Sequence, residues 1–283
     1  MRYELREVDR DDLENELVDA NQRDEIDGVI VYYPIFHNRQ DQYLQQIPSL
    51  AKDVEGLSHR YLFKLYHNER YLDEAEVQKS ILPCTPLAIV KILDYLSVYN
   101  NILEFGNRLF GRTITVVNRS ETVGRPLAAM LANDGACVYS VDVSGVQQFT
   151  RGSGIKQKMH EVVDKADWDL SRCLHSSDVV ISGVPSADFK VPTLDVKDGA
   201  VCINFSTAKV CRAMFIVFSK IDRSQNFDTD VKEKASIYVP SIGKVTIAIL
   251  IRNLVVSQYQ DLGGDRMMLK SAQRLSENRT RSS

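Results

Sequence analysis

The chain has 283 residues, 44% of them hydrophobic and 26% charged, with a formal net charge of −3. That length suffices for two α/β domains with a real core, and the balance is that of a globular protein rather than a disordered or fibrous one. A charge so near zero gives no electrostatic case for nucleic acid or an anionic membrane as partner.

The five cysteines, at 84, 137, 173, 202 and 211, show no C-x-x-C spacing. They point to a reducing compartment and to neither a disulfide framework nor a zinc site, so no metal is expected. The longest apolar runs, such as Val245–Ile251, are too short to span a bilayer, and the N-terminus is charged from Arg2 onward, unlike a secretory signal. The expectation is a cytoplasmic protein.

In chain order, Arg2–Val8 alternates like a strand and Arg10–Asn21 carries helical spacing at Leu13, Leu17 and Val18. Gly28–Tyr33 reads as a buried parallel strand stopped by Pro34. Residues 36–79 are polar and irregular, with helical pieces around Gln40–Gln46 and Leu57–Leu65. The prolines at 83 and 86 then hold a turn before a helix over Leu87–Leu96. "GRTITVVN" is a strand, Arg125–Asn133 a helix and "ACVYSVDV" a second strand. "SDVVISGVP" and "DGAVCINFS" are two more, and the polar stretch from Gly145 to His175 reads as a loop with a helix. A last strand and helix lie within Lys232–Val256, and the residues after Gln258 form a polar tail. Strands alternating with helices predict a doubly wound parallel sheet.

The turn "NRSETVGRP" between the first two of these strands supplies what a pyrophosphate needs, exposed amides at a helix N-terminus. Ser120 can cap the helix, Gly124 permits close approach, Pro126 suits the first turn and Arg119 can face a phosphate. An ordinary strand-to-helix connection fits the same periodicity. Asp142 closes the second strand, where a carboxylate accepts from ribose hydroxyls and repels a 2′-phosphate, favouring NAD over NADP. A plain turn residue is the other reading of Asp142.

Several motifs in order carry a resemblance. "NRSETVGRP" is similar to the G-R-S-x-x-V-G-x-P turn of the methylenetetrahydrofolate dehydrogenase/cyclohydrolase family. "LPCTP" matches its P-C-T-P segment and Lys52–Gly56, "KDVEG", its K-D-V-D-G. "DGVIVYYP" resembles its D-G-I-L-V-Q-L-P strand, and "SDVVISGVP" and "DGAVCINF" its later cofactor-side strands. Three departures stand out: Tyr32 replaces a Gln, "VPSIGKVTIA" replaces a glycine- and proline-rich loop, and Asp142 stands where NADP-dependent members carry C-H-S. Together they resemble the monofunctional, NAD-dependent branch known from fungi.

The resemblance implies a Rossmann-like NAD domain over residues 97–243 and a smaller α/β folate-binding domain over 1–96. A helix at 244–258 would return to the latter, residues 259–283 would form a tail, and a cleft would lie between the domains. It implies oxidation of methylenetetrahydrofolate by hydride transfer to NAD, supporting purine synthesis, in a homodimer without nucleic-acid or membrane partners. The candidate cofactor residues are Arg119, Ser120, Val123, Gly124, Val141 and Asp142, with Gly183, Val184 and Pro185 at the next strand end. On the folate side Asp53 is expected to hydrogen-bond the pterin, or else to cap its own loop. Tyr32 would stack on the folate or pack in the core, and Cys84 would serve the cleft or the turn. His37, His59 and His67 read as surface residues.

Two anomalies complete the reading. Relatives begin before Arg2 with a helix carrying Tyr-x-x-x-Lys, so no catalytic lysine is assigned, the folate domain is expected to be truncated at its N-terminus, and apolar surface should be exposed. Val210–Gln225 interrupts the match and begins and ends with residues whose codons fit intron boundaries. It is read as a retained intron, with a surface loop as the alternative. The rivals are a bifunctional dehydrogenase/cyclohydrolase, which Tyr32 disfavours, a truncated non-catalytic relative, and a Rossmann dehydrogenase for another substrate.

Overall fold

The computed structural model describes residues 7–152, 159–186, 188–206 and 225–259. Two compact units divide them: one gathers Met1–Lys64, Glu69–Cys84 and Ala248–Ser283, the other Leu65–Asn68 and Thr85–Ile247. The elements begin with α1 (Leu13–Gln22), α2 (Arg39–Leu44), α3 (His59–Tyr66) and α4 (Cys84–Tyr95). β1 (Thr113–Val117), α5 (Gly124–Asn133), β2 (Cys137–Asp142), β3 (Gly145–Arg151) and β4 (His160–Asp164) follow. The chain continues through α6 (Leu170–Ser176), β5 (Val179–Ser182), β6 (Val201–Asn204), α7 (Val231–Lys234) and β7 (Ile237–Val239) to α8, helical over residues 243–259.

The second unit is built on one sheet of order β4-β3-β2-β1-β5-β6-β7. The pairs from β2 through β1, β5 and β6 to β7 are parallel, as the apolar runs predict. Ile114, Val116, Val138, Ile181 and Ile203 are buried completely, each worth roughly 1.5–3 kcal/mol against exposure. α5 lies close to the sheet because Ala128, Ala129 and Ala132, all fully buried, keep its inner face small. The chain leaves α5 through Gly135 at φ +98, a conformation that favours glycine. Val117 is opposite Val141 on one side and Ser182 on the other, so three strand ends share one edge.

Two expectations fail here. The stretch from Gly145 forms an antiparallel pair, β3 with β4, before α6, rather than a loop with a helix. β4 is mostly exposed and polar and lies at the sheet edge, so it lacks the alternating or continuous burial that marks a strand. The sheet is therefore mixed at this end.

Gly28–Tyr33 is not a strand either; it makes a single parallel bridge, Val29 to Asp53. The amide of Val31, which a ladder would use, donates to the Glu55 carboxylate at 2.9 Å instead. Residues 1–6 lie outside the described residues, so the strand expected at Arg2 is not described; nor are residues 207–224, which hold most of Val210–Gln225. In the first unit Tyr61, Leu72 and Ile81 form a small core with Leu50 and Val256.

Candidate functional site

At the carboxyl edge of the parallel strands, Asn118 follows β1 with φ 89, in the region that favours glycine. Its amide donates to Val141 O at 2.9 Å and its side chain to Gly183 O at 2.7 Å, tying three strand ends together. Gly124 is required by this arrangement: a Cβ there would lie 1.9 Å from Asn118 O. The close approach expected of Gly124 is thus to its own chain. Ser120 is not the N-cap, which is Val123, but its hydroxyl accepts the Gly124 N–H at 3.2 Å and so caps the first turn from upstream. Val123 is half-buried and Val141 buried.

Asp142 lies where the sequence puts it, at the end of β2. Its Oδ2 accepts the Arg119 N–H at 2.7 Å and its Oδ1 the Val143 N–H at 2.8 Å. Each carboxylate oxygen keeps acceptor capacity for a ribose hydroxyl. Val143 beside it is fully exposed and offers an apolar face next to that carboxylate. These residues fit the adenosine half of NAD. Arg119 departs from expectation: its guanidinium does not stand ready for a phosphate but bonds to Ser140, Ser144 and Gly145.

The Gly183-Val184-Pro185 segment follows β5. A Cβ on Gly183 would meet the Phe205 ring at 2.0 Å. Asn226, fully buried, accepts the Val184 N–H at 2.8 Å and donates to Val184 O at 3.0 Å. The same Oδ1 accepts from the Ser182 hydroxyl at 3.0 Å. Pro185 is exposed.

In the first unit the "KDVEG" segment turns out to be largely a scaffold. Lys52 Nζ donates to the carbonyls of Ala20, Asn21 and Arg23 at 2.8, 3.0 and 2.8 Å, closing the end of α1. Asp53 is buried and accepts from Gly56 N at 2.9 Å, Leu57 N at 3.4 Å and Ser58 N at 2.8 Å. That is the loop-capping role, and it corrects the expectation of a carboxylate presented to a pterin: three amides of its own loop already occupy it. Burial still holds its pKa above the usual carboxylate value, against the pull of those amides.

Glu55 is the acid the sequence reasoning missed. Burial chiefly, with Asp53 adding and the Val31 N–H opposing, pushes its pKa up to about 8. Its carbonyl accepts the Cys84 N–H at 3.1 Å and its carboxyl the Val31 N–H, so it joins the segments of Tyr32 and Cys84. Tyr32 is 61% exposed, which excludes the core-packing alternative. Cys84 is buried at the start of α4. Next to Tyr32, the Tyr33 hydroxyl is buried, and burial followed by Glu55, Asp41 and Asp53 raises its pKa. His37, His59 and His67 are exposed. Asn253, fully buried on α8, donates to Val54 O at 2.9 Å and Leu82 O at 3.0 Å, binding the two motif loops into one piece. Only the raised local acidity of a "D/E-V-E" spacing could have drawn attention to Glu55; Asn226 and Asn253 carry no local signal.

A mainly parallel sheet with an acid at the end of β2 and a tight turn before α5 is the architecture of dinucleotide-binding proteins of the dehydrogenase class. Residues 83–155 match the model of the tetrahydrofolate dehydrogenase/cyclohydrolase NAD(P)-binding domain. The chain is 57% identical to the methylenetetrahydrofolate dehydrogenase [NAD(+)] of Schizosaccharomyces pombe over 92% of its own length and 76% of that protein's. It is 55% identical to the Saccharomyces cerevisiae protein of that name, over 90% and 76%. The solved structure of the NAD-dependent 5,10-methylenetetrahydrofolate dehydrogenase from S. cerevisiae superposes with a TM-score of 0.81 at 54% identity, over 90% of this chain and 77% of that one. The chain belongs to the methylenetetrahydrofolate dehydrogenase/cyclohydrolase family, in its NAD-dependent branch.

Proposed function

We propose that this protein oxidises 5,10-methylenetetrahydrofolate to 5,10-methenyltetrahydrofolate with NAD as cofactor, the first unit taking the folate and the second the dinucleotide. When bound, NAD supplies the hydride acceptor. The nitrogens flanking the one-carbon bridge stabilise the product cation, so the chain's part is to bind, orient and exclude water. Asp142 accepts from the adenosine ribose and repels a 2′-phosphate, while Val143 offers the adenine an apolar face. Glu55, with a pKa near 8, holds a proton at neutral pH and can donate it in a hydrogen bond to the folate. Tyr32 offers its exposed ring for stacking.

The observation that carries this reading is the Asp142 carboxylate, fixed by two amides at the end of β2 with acceptor capacity left over. The test is turnover of methylenetetrahydrofolate by the purified chain with NAD and NADP in parallel, for the wild type and Asp142→Ser. Turnover with NAD, and a ratio of NAD to NADP use that collapses in the variant, is expected. Equal use of both cofactors by the wild type would refute the assignment. We propose further that the protein works as a homodimer in the cytoplasm and supports purine synthesis. The unpaired spacing of the cysteines supports the compartment; the other two rest on the family resemblance, and sedimentation of the purified chain tests the dimer.

A further inference from the structure

The Arg119 side chain makes four hydrogen bonds at the cofactor edge, all to its own chain. Nε donates to Ser140 Oγ at 3.1 Å and Nη1 to Ser144 Oγ at 3.1 Å. Nη2 donates to the carbonyls of Ser140 at 2.6 Å and Gly145 at 2.7 Å. With the Arg119 amide on Asp142 Oδ2, a single residue grips the chain before, at and after Asp142.

The segment it grips is a tight turn. Asp142 pairs with Gly145 across a two-residue hairpin whose central residues are Val143 and Ser144. Two-residue hairpins favour positive φ at a central residue, as in Asn-Gly or Gly-X, and the next most common arrangement puts a positive-φ glycine just after the central pair. Neither Val143 nor Ser144 has positive φ; Gly145, at φ +113, is the first residue that does. The turn that carries Asp142 therefore takes its one positive φ from Gly145, and Val143 and Ser144 at its centre contribute none. The guanidinium fork, rigid and able to donate in several directions at once, adds side-chain support on both flanks of that turn.

We propose that Arg119 is a positioning residue for the adenosine half of the cofactor: it braces the β2–β3 turn and thereby sets Asp142 and Val143 in their ligand-facing pose, without itself binding phosphate. This rests on the NAD reading given above. It deepens that reading by making NAD selectivity a property of two residues, one that contacts the ribose and one that acts through the turn. Charge alone cannot do this task. A lysine keeps the charge but carries its three donors on one nitrogen, and cannot reach Ser140, Ser144 and Gly145 together.

The experiment compares wild type, Arg119→Lys, Arg119→Gln and Ser144→Ala in the full chain. Calorimetry reads the binding of ADP-ribose, which has the adenosine half, and of nicotinamide mononucleotide, which lacks it but keeps a phosphate. Kinetics with NAD and NADP read KM and kcat. Arg119→Lys and Arg119→Gln should both weaken ADP-ribose about tenfold and leave nicotinamide mononucleotide within twofold. KM for NAD should rise in step, with kcat within about twofold. Ser144→Ala, which removes one strut and touches no ligand, should weaken ADP-ribose about two- to threefold. Retained ADP-ribose affinity in Arg119→Lys would show that charge alone suffices, and a parallel loss of nicotinamide mononucleotide would make Arg119 a phosphate ligand; either overturns the proposal. Because binding is read without turnover, a wild type that binds ADP-ribose but leaves the folate unoxidised refutes the proposed reaction while the comparison of variants still decides the role of Arg119.

Discussion

Replacing Glu55 by glutamine isolates one buried proton. The carboxyl is half-buried, bonded to the Val31 amide and set near Asp53, and its pKa rises from the usual 4.5 to about 8. A carboxyl whose pKa is higher in the folded chain binds its proton more tightly there. Its stabilising contribution is complete below pH 4.5 and is lost as pH climbs through 8. At about 1.4 kcal/mol per unit the ceiling is about 4 to 5 kcal/mol. Water reaching a half-buried group, and the shared response of Asp53, reduce the expected effect to about 2 kcal/mol. Glutamine keeps an acceptor for the Val31 amide and has nothing to titrate.

The assay is urea unfolding of wild type and Glu55→Gln from pH 5 to pH 8.5, read as the difference between the two proteins so that other titrating groups cancel. The wild type should lose ground to the variant steadily across that range, and the variant should be the more stable at the alkaline end. A difference that stays level, or that moves in favour of the wild type as pH rises, would refute the reasoning. The same proton has a kinetic signature: kcat/KM for the folate should fall above pH 8 in the wild type, where Glu55 can no longer donate.

Asn226→Leu should cost about 3 kcal/mol, since it leaves the Val184 N–H and C=O without their partner, and it should raise KM for NAD. Urea unfolding checks the first figure, and a loss below 0.5 kcal/mol, within the ordinary scatter of surface changes, would show that the Asn226 bonds do not hold the loop. Deletion of Val210–Gln225 should leave cooperative unfolding and NAD turnover intact. Ser206 Oγ and the Asn226 backbone N–H both donate to Asn204 Oδ1, at 2.9 and 3.1 Å, so described residues on either side of the segment already meet on one atom. Shortening the connection between Ser206 and Asn226 should add about 1 to 2 kcal/mol, less the bonds of Gln225 to Lys190 and Tyr238. A variant that unfolds without a cooperative transition would refute this.

The parts of the fold that were legible in the sequence share a physical cause. β1, β5 and β6 are covered on both faces, so their apolar runs are continuous, and α5 announces itself by small apolar residues on one side and Gly135 at its end. Asp142 was legible because a strand end and an acid coincide. β4 was not, because an exposed edge strand imposes no apolar pattern on its residues. Gly28–Tyr33 misled for the opposite reason: its residues suit a strand, but a strand needs a ladder, and the Val31 amide bonds to a side chain.

The errors at the site have a different origin. A motif specifies residue types along the chain but not which atoms of the fold will occupy each side chain. Asp53 and Glu55 are two residues apart, equally acidic, and only the placement of three amides around one of them decides which is the cap and which the free acid. Arg119 is basic in a nucleotide turn, yet the hairpin after Asp142 claims its donors first. Three of the struts are asparagines: Asn118 and Asn226 at the strand ends, Asn253 on α8. Each joins backbone groups remote in sequence, and an amide side chain suits that task because it donates and accepts at once without a charge to desolvate. Such residues leave no periodic trace. The chemistry of this protein is thus carried by a few groups, and their aim is set by side chains, the asparagines and Arg119 among them, whose partners only the folded chain brings within reach.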